Sequence, residues 1–393
     1  MDKILISNRY NILFLALYTL ISSGVFFYIL YNQVPSDIGA HTQILLRFLD
    51  MGSFPTPPLY YSLVYVLHFI MPYKEGFGMA AWLVLTAAGF FKYLWSINYL
   101  MSYCPQVNSR YVNIFAFSLM FFAPITLFGF EGEKWYLAKF TSLIWHNSTT
   151  LLSLPFCVLL FYYSVQFLED RNGELLRKII VTSIIIVLIK PSFVLAFLPA
   201  FPITILLIDK ELSSSFFKSL ALVVPVTAII ILEKIIIYNV NTIDSHLEEG
   251  LIQGIGIRPF FLWVYYSETP IWDVISSFLF PFFFIILNYK QISKDPHFIF
   301  SGNLIAFGLF IYFTFIETGP RMMDGNFFWQ VILTLFIGYL VLGKHLLNSF
   351  FRRDNSAYGG FGLKNNFLLA LFLLHVIGGV AYTVRIFVTH SIY

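Results

Sequence analysis

The residues best placed to do chemistry come early in the chain, in Ser36-Asp37-Ile38-Gly39-Ala40-His41. If this stretch is helical, Asp37 and His41 share one face, because residues i and i+4 are neighbours on a helix surface. A carboxylate in that position can take the proton of an attacking hydroxyl as a general base. It can also hold a divalent cation. His41 is read as its catalytic partner, with a hydrogen-bonded structural role as the alternative. The pair follows the first hydrophobic run, and an ionisable group at a membrane boundary is costly unless used.

Two further clusters could hold a sugar. Glu131, Glu133 and Trp135 lie within Phe130-Glu131-Gly132-Glu133-Lys134-Trp135-Tyr136. Carboxylates accept from sugar hydroxyls, and aromatic faces stack on sugar rings; an interfacial aromatic belt is the plainer reading. His146 follows in Trp145-His146-Asn147-Ser148-Thr149-Thr150, where the hydroxyl residues suit a helix start. Three isolated cations could meet a phosphate: Lys190 at Lys190-Pro191, Arg258 in Gly256-Ile257-Arg258-Pro259, and Arg321 in Gly319-Pro320-Arg321-Met322. Guanidinium groups fork onto phosphate oxygens, while snorkelling or pairing with a nearby acid is the plainer role of each. Arg47 and Asp50 read as a surface pair. The chain has no Gly-rich phosphate loop, zinc motif or nucleophile elbow, which disfavours an ATP-driven pump.

The elements that must carry these residues are membrane helices. The chain of 393 residues is 58% hydrophobic and only 11% charged, with a mean hydropathy of +0.77. A soluble domain would carry about 25% charged residues. The apolar runs are continuous, so helices rather than a barrel satisfy the backbone in lipid. The reading is an all-α polytopic membrane protein forming one transmembrane domain, 1–393, with about eleven spans of roughly 17–25 residues. They fall near 11–31, 79–103, 111–130, 148–168, 178–189, 192–208, 218–237, 271–289, 298–316, 327–343 and 367–387. The first is read as a retained span, not a signal peptide.

The stretch 59–71 is too short to cross and begins at Pro57-Pro58, which suits a helix start. It is placed as an interfacial helix in a first outside loop, 32–78. The stretch 178–208 is read as a broken helix pair, because one continuous helix would run roughly 46 Å. With that break, Lys3, Arg9, Arg110, Arg171, Arg177, Lys178, Lys210, Lys218, Lys290, Lys294, Lys344, Arg352, Arg353 and Lys364 fall on one side. The positive-inside rule makes that side, and the N-terminus, cytoplasmic. Most acids and long loops then lie outside, and any chemistry with them. The formal charge of +3 gives no sign of nucleic acid, and Cys104 and Cys157 do not read as a disulfide or metal pair.

This layout resembles the GT-C-fold integral membrane glycosyltransferases. The match is carried by Asp37, His41, Pro55, Pro57, Pro58, Leu59 and Tyr60, and covers mainly residues 11–103. The resemblance implies transfer of a sugar from a polyprenyl-phosphate or polyprenyl-diphosphate donor to a glycan or lipid-linked acceptor outside the cytoplasm. It implies Asp37 as general base or as a carboxylate beside a metal, Mg²⁺ or Mn²⁺. The expected setting is a bacterial inner membrane. The chain departs from larger members in lacking a soluble C-terminal domain. It also has one clear acid early in the loop where some members have two, which leaves metal dependence open. A polymerase of O-antigen or capsule repeat units, relying more on Arg258 and Arg321, is the alternative. A lipid-linked saccharide flippase is less favoured, since no second broken helix repeats the one at Lys190-Pro191.

Overall fold

The structure is a computed structural model describing residues 8–70, 76–127, 138–237, 254–351 and 362–392. It is built from helices: α1 (Arg9–Tyr31), α2 (Asp37–Asp50), α3 (Pro58–Ile70), α4 (Gly76–Tyr103), α5 (Ser109–Leu119), α6 (Ser148–Asp170), α7 (Gly173–Ile189), α8 (Ser192–Asp209) and α9 (Ser214–Ile235). After strand β1 (Gly254–Ile257) come α10 (Phe261–Tyr266), α11 (Pro270–Ile292), α12 (Pro296–Thr314), strand β2 (Phe315–Thr318), α13 (Trp329–Phe351) and α14 (Leu363–Thr389). Among the described residues, 9 helices are long and apolar enough to cross a membrane. The protein is therefore an integral membrane protein of mostly helical build. α13 is buried almost all round and α6 nearly so, while α9 faces outward along most of its surface.

Helix ends meet in a consistent pattern that fixes two opposite poles of the bundle. At one pole, Tyr103 at the end of α4 donates to Glu169 at the end of α6 (3.2 Å). His297 in the first turn of α12 meets Glu169 at 3.2 Å and the Tyr99 hydroxyl at 2.8 Å. Lys344 and His345 of α13 close on Asp295, the N-cap of α12, at 2.5 and 2.7 Å. Burial pushes the Asp295 carboxyl up, but His345 and Lys344 more than offset it and hold it well below the usual carboxylate range. Arg171 and Asp209 pair at this same pole at 2.5 Å. Asp209 ends α8 and Arg171 follows α6, so α7 and α8 run out and back, and Lys190 between them lies at the opposite pole.

The third apolar run is not the full helix expected over 111–130. α5 has 11 residues and stops at Leu119, a length of about 16 Å, half of a bilayer core of about 30 Å. Beyond it, Phe121 to Pro124 run non-helical and buried, as does 139–147. Irregular backbone at this depth is tolerated only when protein satisfies it, and here it does. Ala123 N donates to the His375 carbonyl (3.2 Å) and Ile125 N to the Ser276 carbonyl (2.9 Å). The second bond takes the acceptor that Phe280 N would use inside α11. Phe280 N instead donates to Nε2 of His375 (3.3 Å). With Nε2 accepting, Nδ1 carries the proton and donates to the Ala123 carbonyl (2.8 Å).

The same region holds a buried ion pair. Lys139 Nζ donates to Ser276 Oγ (2.7 Å) and the Ile125 carbonyl (3.2 Å), and lies 4.0 Å from Asp273 Oδ1. Asp273 accepts from Ser267 (2.5 Å) and Thr269 (3.4 Å). A small antiparallel sheet, absent from the sequence reading, pairs β1 with β2, with Ile255 opposite Glu317.

Candidate functional site

The pole opposite Asp295 gathers the N-termini of α2, α6, α8 and α13. Asp37 is the first residue of α2, and α2 is helical through His41. The two side chains share a face as the spacing predicts, and that face meets the start of α6. Asn147 caps α6, its Oδ1 accepting from Thr150 N (3.0 Å). The same oxygen accepts from Thr149 Oγ1 (3.2 Å) and Lys190 Nζ (3.1 Å). Its Nδ2 donates to Asp37 Oδ2 (2.5 Å). The amide can face only one way, since a flip would set its N–H₂ against an ammonium and an amide N–H. One buried asparagine thus joins the acid to the base.

His41 Nδ1 meets Ser148 Oγ at 2.5 Å, and the rings of Tyr60 and Tyr61 from α3 each lie 5.9 Å from its ring. α3 starts at Pro58, as the Pro57-Pro58 signal predicts, and packs on α4, α6 and α7. Lys190 also donates to Thr149 Oγ1 (3.3 Å) and sits 4.8 Å over the Trp329 ring at the start of α13. His146 is buried, edge-on to that ring at 5.6 Å.

Burial sets the protonation states. It pushes His41 down to about 4, helped by the charges of Lys190 and Arg321 and opposed by Asp37. His41 is therefore a neutral hydrogen-bonding group near pH 7. His146 is also lowered by burial, with Asp37 opposing and Lys190 assisting. Lys190, in the turn between α7 and α8, is pushed down to about 7 by burial, with Asp37 pulling it up and Arg321 pushing it down. A lysine so poised changes charge within the physiological range.

Arg321 is half-buried at the edge of this cluster and acts on it through space. Its own charge is balanced by Asp324 (3.5 Å) and Glu317 (3.9 Å), and Glu317 also accepts from Asn326 (2.5 Å). Arg258 stands apart: it is exposed, with Nη1 3.7 Å from Met322 Sδ. Glu131, Glu133 and Trp135 lie outside the described residues. Arg47 and Asp50 are exposed. The structure thus brings together Asp37, His41, His146 and Lys190, with Arg321 beside them.

Asn147, Ser148 and Trp329 belong to the same cluster and were not singled out from sequence. The capping pattern at 147–150 was the available signal, but a cap alone does not reveal a bridge. Among the described residues no group of three or more His, Cys, Asp or Glu side chains is arranged to hold a metal ion. Lys190 also shares the Asn147 bridge with Asp37, so the local charge does not suit a divalent cation.

Asn147→Ala tests the bridge. It removes the α6 cap, worth about 1 kcal/mol, and strips a bond from both charged partners. We expect a total loss of about 2–3 kcal/mol, read as a lowered Tm of the detergent-purified protein. An unchanged Tm would show that the bridge does not hold the pole together.

The chain matches no protein-family model, and no curated protein matches it.

Proposed function

We propose that the chain is a membrane glycosyltransferase of GT-C-like architecture. It moves a sugar from a polyprenyl-phosphate or polyprenyl-diphosphate donor to a hydroxyl of a glycan or lipid-linked acceptor. The observation that carries this reading is the placement of Asp37 and Lys190 on the two ends of the Asn147 amide. A base and a phosphate-seeking cation stand there a few ångströms apart, where four helix N-termini converge. Helix N-termini favour anions, and a leaving phosphate is one.

In this mechanism Asp37 takes the acceptor hydroxyl proton. The acceptor oxygen bonds to the anomeric carbon as the bond from that carbon to the phosphate oxygen breaks. The electron pair leaves with the phosphate, whose growing charge is met by Lys190 and Arg321. His41, neutral and bonded to Ser148, positions the start of α6 against α2. His146, beside the Trp329 ring, and Glu131, Glu133 and Trp135 would hold the sugar. The pole of Asp295 carries the basic loops, so the positive-inside rule sets it in the cytoplasm and the Asp37 pole outside. A bacterial plasma membrane fits that arrangement. No step is assigned to a metal.

Lys190 gives the reading a pH signature. Its ammonium is lost as pH rises through about 7, so turnover should fall on the alkaline side. Lys190→Arg, which stays charged, should extend activity to higher pH. Stability should move oppositely. Between about 7 and 10.5 the unfolded chain binds the extra proton, so unfolding free energy rises with pH across that window. An alkaline limb unmoved in the arginine variant would remove Lys190 from phosphate binding.

A further inference from the structure

The corner between β1 and α11 holds a cation that the proposed reaction does not use. Arg258 makes no ion pair with a described carboxylate; its guanidinium lies 5.4 Å over the Phe261 ring, with Met322 Sδ at 3.7 Å. Arg321, by contrast, is balanced by two acids. The turn presenting Arg258 is pinned by Arg258 N to the Thr314 carbonyl (3.1 Å) and Phe260 N to the Phe313 carbonyl (2.8 Å).

Phe260 takes a φ of 59°. That left-handed conformation is unfavourable for an L-residue. It leaves the Phe260 ring half exposed, 4.8 Å from Phe313. Pro259, Phe260, Phe261, Val264 and Tyr265 line an open recess with Arg258, of about 470 Å³.

The depth of this recess identifies its surroundings. Thr314, whose carbonyl accepts from Arg258 N, is the last residue of α12. Arg258 is therefore level with the end of a span, where the headgroup layer of a bilayer begins. A guanidinium at that level prefers a phosphate, and the exposed Phe260, Val264 and Ile257 offer apolar surface beside it.

We propose that this corner is a binding site for a membrane glycerophospholipid, with its phosphate on Arg258 and its acyl chains along Phe260 and Val264. Arg258 shares no bond with the Asp37–Asn147–Lys190 cluster, so the occupant is a resident lipid and not the sugar donor. The inference stands whether or not the chain transfers sugar.

Native mass spectrometry of the full-length detergent-purified protein tests it, with titrations of phosphatidylglycerol, of diacylglycerol bearing the same chains, and of glycerol phosphate. Wild type should bind one phosphatidylglycerol tightly, diacylglycerol and glycerol phosphate far more weakly. Arg258→Ala should weaken phosphatidylglycerol binding by about tenfold or more, the scale of one charged hydrogen bond. Arg47→Ala, at another exposed arginine, should leave it unchanged. Val264→Glu should weaken it through the chain contact with Arg258 intact. Equal binding by wild type and Arg258→Ala would overturn the proposal, as would equal binding of diacylglycerol. Displacement of phosphatidylglycerol by undecaprenyl phosphate, tighter and dependent on Arg258, would make this a donor site and overturn it too.

Discussion

Asp37→Asn should leave the protein folded and remove the proposed sugar transfer. The carboxamide oxygen introduced by this change can still accept from Asn147 Nδ2, so the link across the pole is kept. What disappears is the charge that takes the acceptor proton in the proposed reaction. A positioned general base contributes about 10²–10⁴-fold, and a loss of that size is expected at unchanged protein level. The measurement is transfer in membranes matched for protein amount by immunoblot. Activity within about tenfold of wild type would remove Asp37 from the chemistry, because it falls short of the general-base range.

Gly379→Ala is the largest expected effect on folding. A Cβ at Gly379 would stand 1.7 Å from the Phe121 carbonyl oxygen, and one at Gly378 would stand 2.5 Å from the Pro124 carbonyl oxygen. Both obstacles are backbone of the non-helical segment after α5, which α14 and α11 hold by hydrogen bonds. Neither chain can give way without breaking those bonds. Overpacking a core by one methyl costs about 1–3 kcal/mol, occasionally more, and bonds lost at this depth add to it. Little monodisperse protein should survive detergent extraction, and its Tm should fall sharply. A variant extracted at wild-type yield and Tm would show that this packing does not matter.

Much of the architecture is legible in the sequence because lipid imposes a simple code. Continuous apolar runs locate the spans, Pro58 starts the short helix, and Lys190-Pro191 divides the pass at 178–208. Spacing alone puts Asp37 and His41 on one face. The end of α5 is different. The run 111–130 is largely apolar, and its clearest warning is Pro124. Yet Pro155, Pro199, Pro202, Pro225 and Pro281 all lie inside helices. What stops α5 is the backbone of α11 and α14, far away in sequence, together with His375 and the space left by Gly378 and Gly379.

The candidate site divides the same way. The hydroxyl residues after His146 mark a helix start, but Asn147 is its cap, and the second task of Asn147 depends on Lys190 arriving from another helix pair. The β1–β2 pairing was hidden by short strands without alternation of apolar and polar residues. Glu317, Arg321 and Asp324, at spacings of four and three, did foreshadow the pairing that balances Arg321.

The central claim is sugar transfer at the Asp37 pole, and a glycan profile of cells lacking the protein tests it most directly. Those cells would be complemented with wild type or with Asp37→Asn. The account predicts that one sugar is missing from an envelope glycan or glycolipid, restored by wild type and not by Asp37→Asn. A profile unchanged by the deletion would contradict it. So would loss of long polymer with single repeat units intact, or donor lipid accumulating on the cytoplasmic face, which would mark a polymerase or a flippase.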